Sequence, residues 1–253
     1  MTTLAPAPGA APLRRMLLAQ TVFETRLLLR NGEQLLLTVI IPVVLLGLLA
    51  AVPVLDPAPV RKIDFLVPGI LALAVMSTAF TSLAIATGYE RRYGVLKRLA
   101  ASPLPRWGLL MAKAGTVLAV LAIQVVLVGG LGLVLGWQPH GSPFAVAGLL
   151  VAGTFAFGGL AMLMAGTLRA EATLAAANLI YLLLLGLGGI FVPLDRFPQG
   201  IQPVLEATPT GALARGLRDV LVDGAGMPWA PLAILGAWAV LGFAAAARWF
   251  RWE

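Results

Sequence analysis

The 253 residues contain no cysteine, a single histidine and only 11% charged side chains. The first absence excludes disulfides and thiolate metal sites. The second leaves His140, set between Pro139 and Gly141 in a turn-like stretch, as the only imidazole available for catalysis. The third excludes an ordinary soluble domain, where about a quarter of residues are charged. Neither His-Glu-x2-His nor Gly-x-Ser-x-Gly occurs. Nor is there a Gly-x4-Gly-Lys-Ser/Thr phosphate loop: Gly108-Leu-Leu-Met-Ala-Lys113 lacks the second glycine and the hydroxyl. Catalysis by these routes, including ATP hydrolysis, therefore has no residues to carry it, and no cofactor is expected on this chain. The net charge of +7 would suit nucleic acid, but the basic residues flank apolar runs, where they set membrane orientation instead.

Those apolar runs dominate what is present, at 60% hydrophobic residues. A hydrocarbon core about 30 Å thick needs ~20 apolar residues in a helix. Six candidate spans follow: Leu35–Leu55, Phe65–Thr87, Ala114–Leu135, Phe144–Leu168, Ala172–Val192 and Trp229–Ala247, with no Asp, Glu, Lys or Arg inside them. The expected fold is an all-α polytopic membrane protein, a single transmembrane domain over 13–253 behind a disordered tail at 1–12. If the N-terminus is cytoplasmic, 13 of the 18 Lys/Arg residues fall on inner segments and five on outer ones. That asymmetry places both termini in the cytoplasm.

Three segments outside the spans carry further information. From Leu13 to Arg30 there is neither proline nor glycine, and the stretch reads as an interfacial helix. Leu13, Met16, Leu17, Phe23 and Leu27 fall on one side and Arg15, Arg26 and Arg30 on another, although Leu18, Val22 and Leu29 spoil the pattern. The second segment, 88–106, is a charged insert between apolar runs. On a helix from Tyr89 to Leu99 the spacing puts Tyr89, Tyr93, Leu96 and Ala100 on one face and Glu90, Arg91, Lys97 and Arg98 around the rest. Gly94 interrupts this helix, and Pro103 and Pro105 end it. A charged helix with one apolar face suits a groove on a cytoplasmic partner; a plain topogenic loop accounts for the arginines alone. The third segment, 193–228, is punctuated by Pro193, Pro198, Pro203 and Pro209. A helix is expected over Thr210–Val222, with Leu213, Leu217, Val220 and Leu221 on one side and an i,i+4 pair between Arg215 and Asp219. It is either a re-entrant or interfacial hairpin between the fifth and sixth spans or an outer loop resting on the membrane.

The run Glu90-Arg-Arg-Tyr-Gly-Val-Leu-Lys-Arg-Leu-Ala-Ala-Ser-Pro-Leu104, placed after the second of six spans, resembles the permease subunits of ABC-2 type transporters. The matching positions are Glu90, Arg91, Gly94, Leu96, Lys97, Arg98, Ser102 and Pro103, and the layout extends over about residues 14–250. Lys97 departs from the pattern, because an acidic residue is frequent there. The resemblance implies an ATPase-coupling loop made of Glu90, Arg91, Arg92, Tyr93, Gly94, Leu96, Lys97 and Arg98. It also implies a separate ATPase subunit that binds ATP and Mg, and a second permease copy or close relative. It makes the 193–228 segment, with Pro193, Pro203, Pro209, Arg215 and Asp219, an outer re-entrant segment, and implies a multi-pass protein of a bacterial plasma membrane. Within the family, drug exporters of the daunorubicin-resistance type look closest in size; exporters of lipid-linked glycans share the architecture.

Cargo is less legible. Ser77, Thr78, Thr81 and Ser82 form a hydroxyl stripe in the second span, Gln124 lies in the third, and Asn178 and Tyr181 in the fifth. Intramembrane polar groups mark transport paths, but they also tie helices together. With no charge inside a span, ion coupling is poorly supported and an amphiphilic or apolar cargo fits. A secondary transporter and a non-transporting membrane scaffold are the readings of another class. For helix pairing between copies, Gly132-x3-Gly136 is a small-residue candidate.

Overall fold

The computed structural model describes residues 11–52, 61–100 and 102–250; the tail expected at 1–12 falls almost wholly outside them. Among these residues every regular element is a helix. Helix α1 (Leu13–Arg30) is followed by α2 (32–51), in which Gly32–Leu35, a π-helical stretch Leu36–Ile40 and Ile41–Ala51 run on without a break. Then come α3 (Lys62–Arg92), α4 (Val95–Ala100), α5 (Arg106–Val134), α6 (Pro143–Thr167) and α7 (Ala170–Leu187). The 193–228 segment supplies a 3-10 turn Leu194–Arg196, α8 (Gln202–Glu206) and α9 (Pro209–Leu221), and α10 (Trp229–Trp249) follows.

Five of these helices, α3, α5, α6, α7 and α10, are long and apolar enough to cross a membrane, and the apolar part of α2, Thr38–Ala51, is shorter. A bilayer offers no water to backbone groups, so helices that satisfy themselves are the natural outcome for such runs. The protein is an all-α polytopic membrane protein. Two span boundaries need correction. α3 runs through to Arg92, and α5 begins at Arg106 rather than Ala114. At 1.5 Å per residue these helices are about 46 and 43 Å long, well beyond a ~30 Å core. Their charged ends therefore continue as helix beyond the apolar stretch. Lys113 becomes a helical residue instead of a loop residue.

At the centre lies α3, with 72% of its most apolar window buried. Ile70, Leu73 and Met76 pack with Phe157 of α6 and Leu213 and Leu217 of α9, all essentially inaccessible. α6 and α10 meet backbone to backbone. A Cβ added at Gly159 would stand 2.9 Å from Phe243 N, and one at Gly242 2.9 Å from Leu160 N. Small residues permit that approach in membranes, where close van der Waals packing is a main driving force. Gly132 permits such an approach within this chain, so it does not present, with Gly136, the face expected for pairing between copies. Gly132 packs inside the chain against Val67 and Trp137, and Gly136 lies beyond the end of α5 with φ +87°.

In α9, Thr208 caps the N-terminus by accepting a hydrogen bond from Gly211 N at 3.0 Å, and Pro209 occupies the first turn. At 13 residues it is about 20 Å long, too short to cross. The expected face of Leu213, Leu217, Val220 and Leu221 is buried against α3, α6 and α10. The expected Arg215–Asp219 pair does not form: Arg215 Nη1 instead reaches Glu206 Oε2, because α8 folds back and brings its carboxylate within reach.

The faces of α1 also need correction. Thr21 and Glu24 turn inward onto α5, where Thr21 Oγ1 lies 3.3 Å from Ala112 O. Leu18, Val22, Phe23 and Leu27 are exposed. The inward side thus mixes Thr21 and Glu24 with half-buried Leu13, Met16, Leu17 and Leu28, and the outward side carries Leu18, Val22, Phe23 and Leu27 alongside exposed Arg14, Arg15, Arg26 and Arg30, a mixture that an interfacial helix can carry.

Candidate coupling segment and polar cluster

The 88–106 segment is built as two helices around one left-handed residue. Gly94 has φ +68°, and its N–H reaches Arg91 O at 3.1 Å, ending α3 as a glycine does at a helix C-terminus. α4 then starts in a new direction. As a result Tyr93 is 64% exposed while Leu96 is 4% exposed, so the two do not share the face that an unbroken helix would give them. Tyr93 stacks on Tyr89, with centroids 6.1 Å apart, and Arg92 lies over its ring at 5.8 Å. Lys97 and Arg98 are exposed on α4. Leu96 anchors α4 to the body of the protein, and Tyr93, Lys97 and Arg98 are left facing out.

Glu90 and Arg91 turn the other way. Glu90 Oε2 lies 2.7 Å from Lys113 Nζ, and Lys113 is 3.6 Å from Glu24 Oε2. Gln20 Nε2 donates to Glu24 Oε1 at 2.8 Å. Arg91 donates to the Leu168 carbonyl at the end of α6, and Arg92 pairs with Glu171 at the start of α7. These side chains bind the foot of α3 to α1, α5, α6 and α7. Lys113 is 5% exposed, so the cluster is a buried one, and it holds two carboxylates around one ammonium. Burial raises the pKa of Glu24 above its ordinary value of 4.5, against the opposing pull of Lys113 and the Gln20 hydrogen bond.

Above the cluster, the hydroxyl stripe falls on a π-helical turn, Met76–Ser82. A π turn widens the helix and is often found at functional places. Here it meets the π stretch of α2. Gln124, 0% exposed, donates to Thr38 O and lies 3.0–3.2 Å from Thr78 Oγ1. Ser82 Oγ accepts from Gln34 Nε2 at 2.9 Å, and Ser77 Oγ donates to Ala74 O at 3.0 Å. Thr81 Oγ1 is buried with no hydrogen-bond partner. On α7, Asn178 is exposed and its Nδ2 donates to Leu174 O at 2.9 Å; Tyr181 is half-buried. The structure thus brings Thr78, Ser82 and Gln124 together and leaves Asn178 and Tyr181 apart from them.

In the 193–228 segment, Pro193 precedes the 3-10 turn, Pro203 lies in the first turn of α8 and Pro209 is buried at the start of α9. Asp219 is half-buried, and desolvation raises its carboxyl above the usual value, opposed first by Arg215. Arg218 was not singled out in the sequence. Its guanidinium lies 4.0 Å from the Phe65 ring centroid and donates to Ile190 O at 3.0 Å, fastening α9 to α3 and the end of α7. Glu24 and Lys113 were missed as a site because one was assigned to a surface helix and the other to a loop. The Pro105-Arg106 boundary, a helix start in sequence terms, was the available signal for Lys113.

A family model described as ABC-2 type transporter matches residues 17–222. The chain belongs to that family. No curated protein matches it. The match runs from α1 through α9, so this ABC-2 chain is a membrane-embedded permease component of an ABC transporter, and the permease works with an ATPase subunit.

Proposed function

We propose that this ABC-2 permease is half of an ATP-driven exporter that moves a drug-like or amphiphilic molecule out across a bacterial plasma membrane. A separate ATPase polypeptide, carrying ATP and Mg, docks on the 88–106 segment. The carrying observation is the division of labour in that segment. Glu90, Arg91 and Leu96 hold it to the protein, whereas Tyr93, just past the end of α3, and Lys97 and Arg98, on the short α4 beyond the Gly94 turn, stand exposed. Force on that surface would reach α3 through the Gly94 turn and the buried Leu96 contact. The 13-to-5 distribution of basic residues supports a cytoplasmic location for it. A second copy is supported by α7, whose apolar window is only 17% buried and carries the exposed amide of Asn178. In hydrocarbon such a group gains by finding a partner.

The test is charge reversal of Lys97 and Arg98 to Glu, read by pull-down of the ATPase and by transport-linked ATP hydrolysis in vesicles. One exposed ion pair is worth only ~0–1 kcal/mol, so neutralising one residue costs binding partially. Reversing both adds repulsion and lowers recovery of the complex at least tenfold. Wild-type recovery and turnover in the doubly reversed variant would reduce the segment to a topogenic signal.

A further inference from the structure

Beside the buried cluster lies a cavity of about 90 Å³, bounded by α1, α2, α3 and α5. Its wall is divided. Glu24, Glu90 and Lys113 supply its charged groups, and Leu27, Leu83 and Val117 part of its apolar surface. Leu27 is 62% exposed, so the cavity opens beside the outward face of α1. We propose that this cavity binds the head group of an amine-bearing amphiphile entering from the inner leaflet. The proposal rests on the export reading and names a cargo class for it.

The chemistry follows from counting donors and acceptors. An ionised carboxylate only accepts and has about four lone-pair sites; an ammonium has three donors. Two carboxylates around Lys113 therefore leave acceptors in excess and a formal charge of −1. The neutral polar groups on the wall are already engaged: Gln34 with Ser82, Thr116 with Ala112 O, Thr78 with Gln124. What the cavity lacks is a donor with positive charge. Glu24 is the open position, because Lys113 lies nearer to Glu90, at 2.7 Å against 3.6 Å. An incoming ammonium beside Glu24 neutralises a carboxylate that burial makes costly to ionise. An anion would meet both carboxylates at close range. At roughly 30 Å³ per water, the volume holds a head group and its first methylenes, and the tail runs out past Leu27.

The experiment uses the full chain in nanodiscs of neutral phosphatidylcholine and a dodecylamine carrying a diazirine next to the amine. Saturable crosslinking should fall on peptides containing 24–34 and 113–117, as read by mass spectrometry. Excess dodecylamine should compete; dodecanol and dodecyl sulfate should not. Glu24→Gln keeps the Lys113–Glu90 pair and should lower saturable labelling at least tenfold, whereas Glu24→Asp retains most of it. Leu27→Trp, at the exposed mouth, should lower labelling without touching the buried cluster. Adding phosphatidylethanolamine tells the source of the amine: competition makes a membrane lipid the occupant, and its absence leaves the site to a cargo amine. Equal labelling by a diazirine dodecanol, or unchanged labelling in both Glu24→Gln and Leu27→Trp, overturns the proposal. The assay contains no ATPase, so its failure leaves the docking reading standing, and a failed pull-down leaves this site untouched.

Discussion

Replacing Lys113 with Met removes the ammonium that pairs with both Glu24 and Glu90. The separations of 3.6 and 2.7 Å correspond, at an effective dielectric of ~20, to gross attractions of roughly 5 and 6 kcal/mol. Most of this offsets the cost of taking three charges out of water, so the net value of the cluster is small. Breaking it is another matter. Removing one partner of a buried pair costs about 3–5 kcal/mol because the other charge stays behind, and here two like charges stay behind. Lys113→Met should therefore fall at the upper end of that range, a large part of the ~5–15 kcal/mol that holds a typical fold. Glu24→Gln should be nearly neutral, since the shorter Lys113–Glu90 contact survives. Combining Lys113→Met with Glu24→Gln and Glu90→Gln should recover most of the loss. Tryptophan-monitored melting in mild detergent reads all four proteins. If Lys113→Met melts with the wild type, the cluster is not a buried ion group and the argument fails.

A pH series on the same samples tests the carboxyl. Glu24 has its pKa raised on folding, so the folded protein keeps a proton that the unfolded chain releases above about 4.5. Its contribution is full below that value and is lost as pH rises through the raised pKa; Glu24→Gln should flatten this slope, and an unchanged slope would assign it to other groups. Gly159→Leu should destabilise by more than ~1–3 kcal/mol, since its Cβ meets the α10 backbone at 2.9 Å. Gly148→Ala, with nothing within 4 Å, should gain up to ~1 kcal/mol of helix propensity in the same melt. Cysteines placed singly at Ser142 and Gln199 of this cysteine-free chain should react with an impermeant thiol reagent in intact cells and one at Ser102 should not; the reverse pattern would invert the orientation. Thr81→Leu removes a buried hydroxyl with no partner, so a change in cargo-stimulated turnover at unchanged expression would put Thr81 on the path, and unchanged turnover per folded complex would remove it.

What the sequence conveyed best was whatever is written locally. The cap and proline at Thr208-Pro209 start α9 within one residue of the expected Thr210, and Pro143 starts α6 in the same way. Gly94 was identified as a break, and its φ of +68° accounts for it. Its consequence was not legible, since the separation of Tyr93 from Leu96 depends on the angle between two helices. The span ends at Thr87 and Ala114 were set too early and too late for one reason: hydropathy falls where lipid ends, but a helix continues in water as long as its residues allow. That error moved Lys113 off a helix and hid the cluster. Arg215 illustrates a different limit. Spacing offered Asp219 at i+4, and the fold supplied Glu206 from another helix.

The same logic bears on where a cargo can pass. Ser77, Thr78, Ser82 and Gln124 are committed to hydrogen bonds within one chain, and each such bond in a membrane is worth ~0.6 kcal/mol on average and up to ~1.7. A cargo threading α3 through the interior would have to unseat several of them and part a helix that is 72% buried. α7 makes no such demand. Its window is 17% buried, Leu174, Asn178 and Leu182 lie exposed on it, and its foot is tied by Arg92 to the end of α3. If the proposed export holds, passage along α7 would disturb less packing than passage through α3, and the cavity between α1 and α5 would be an entry site rather than the whole path.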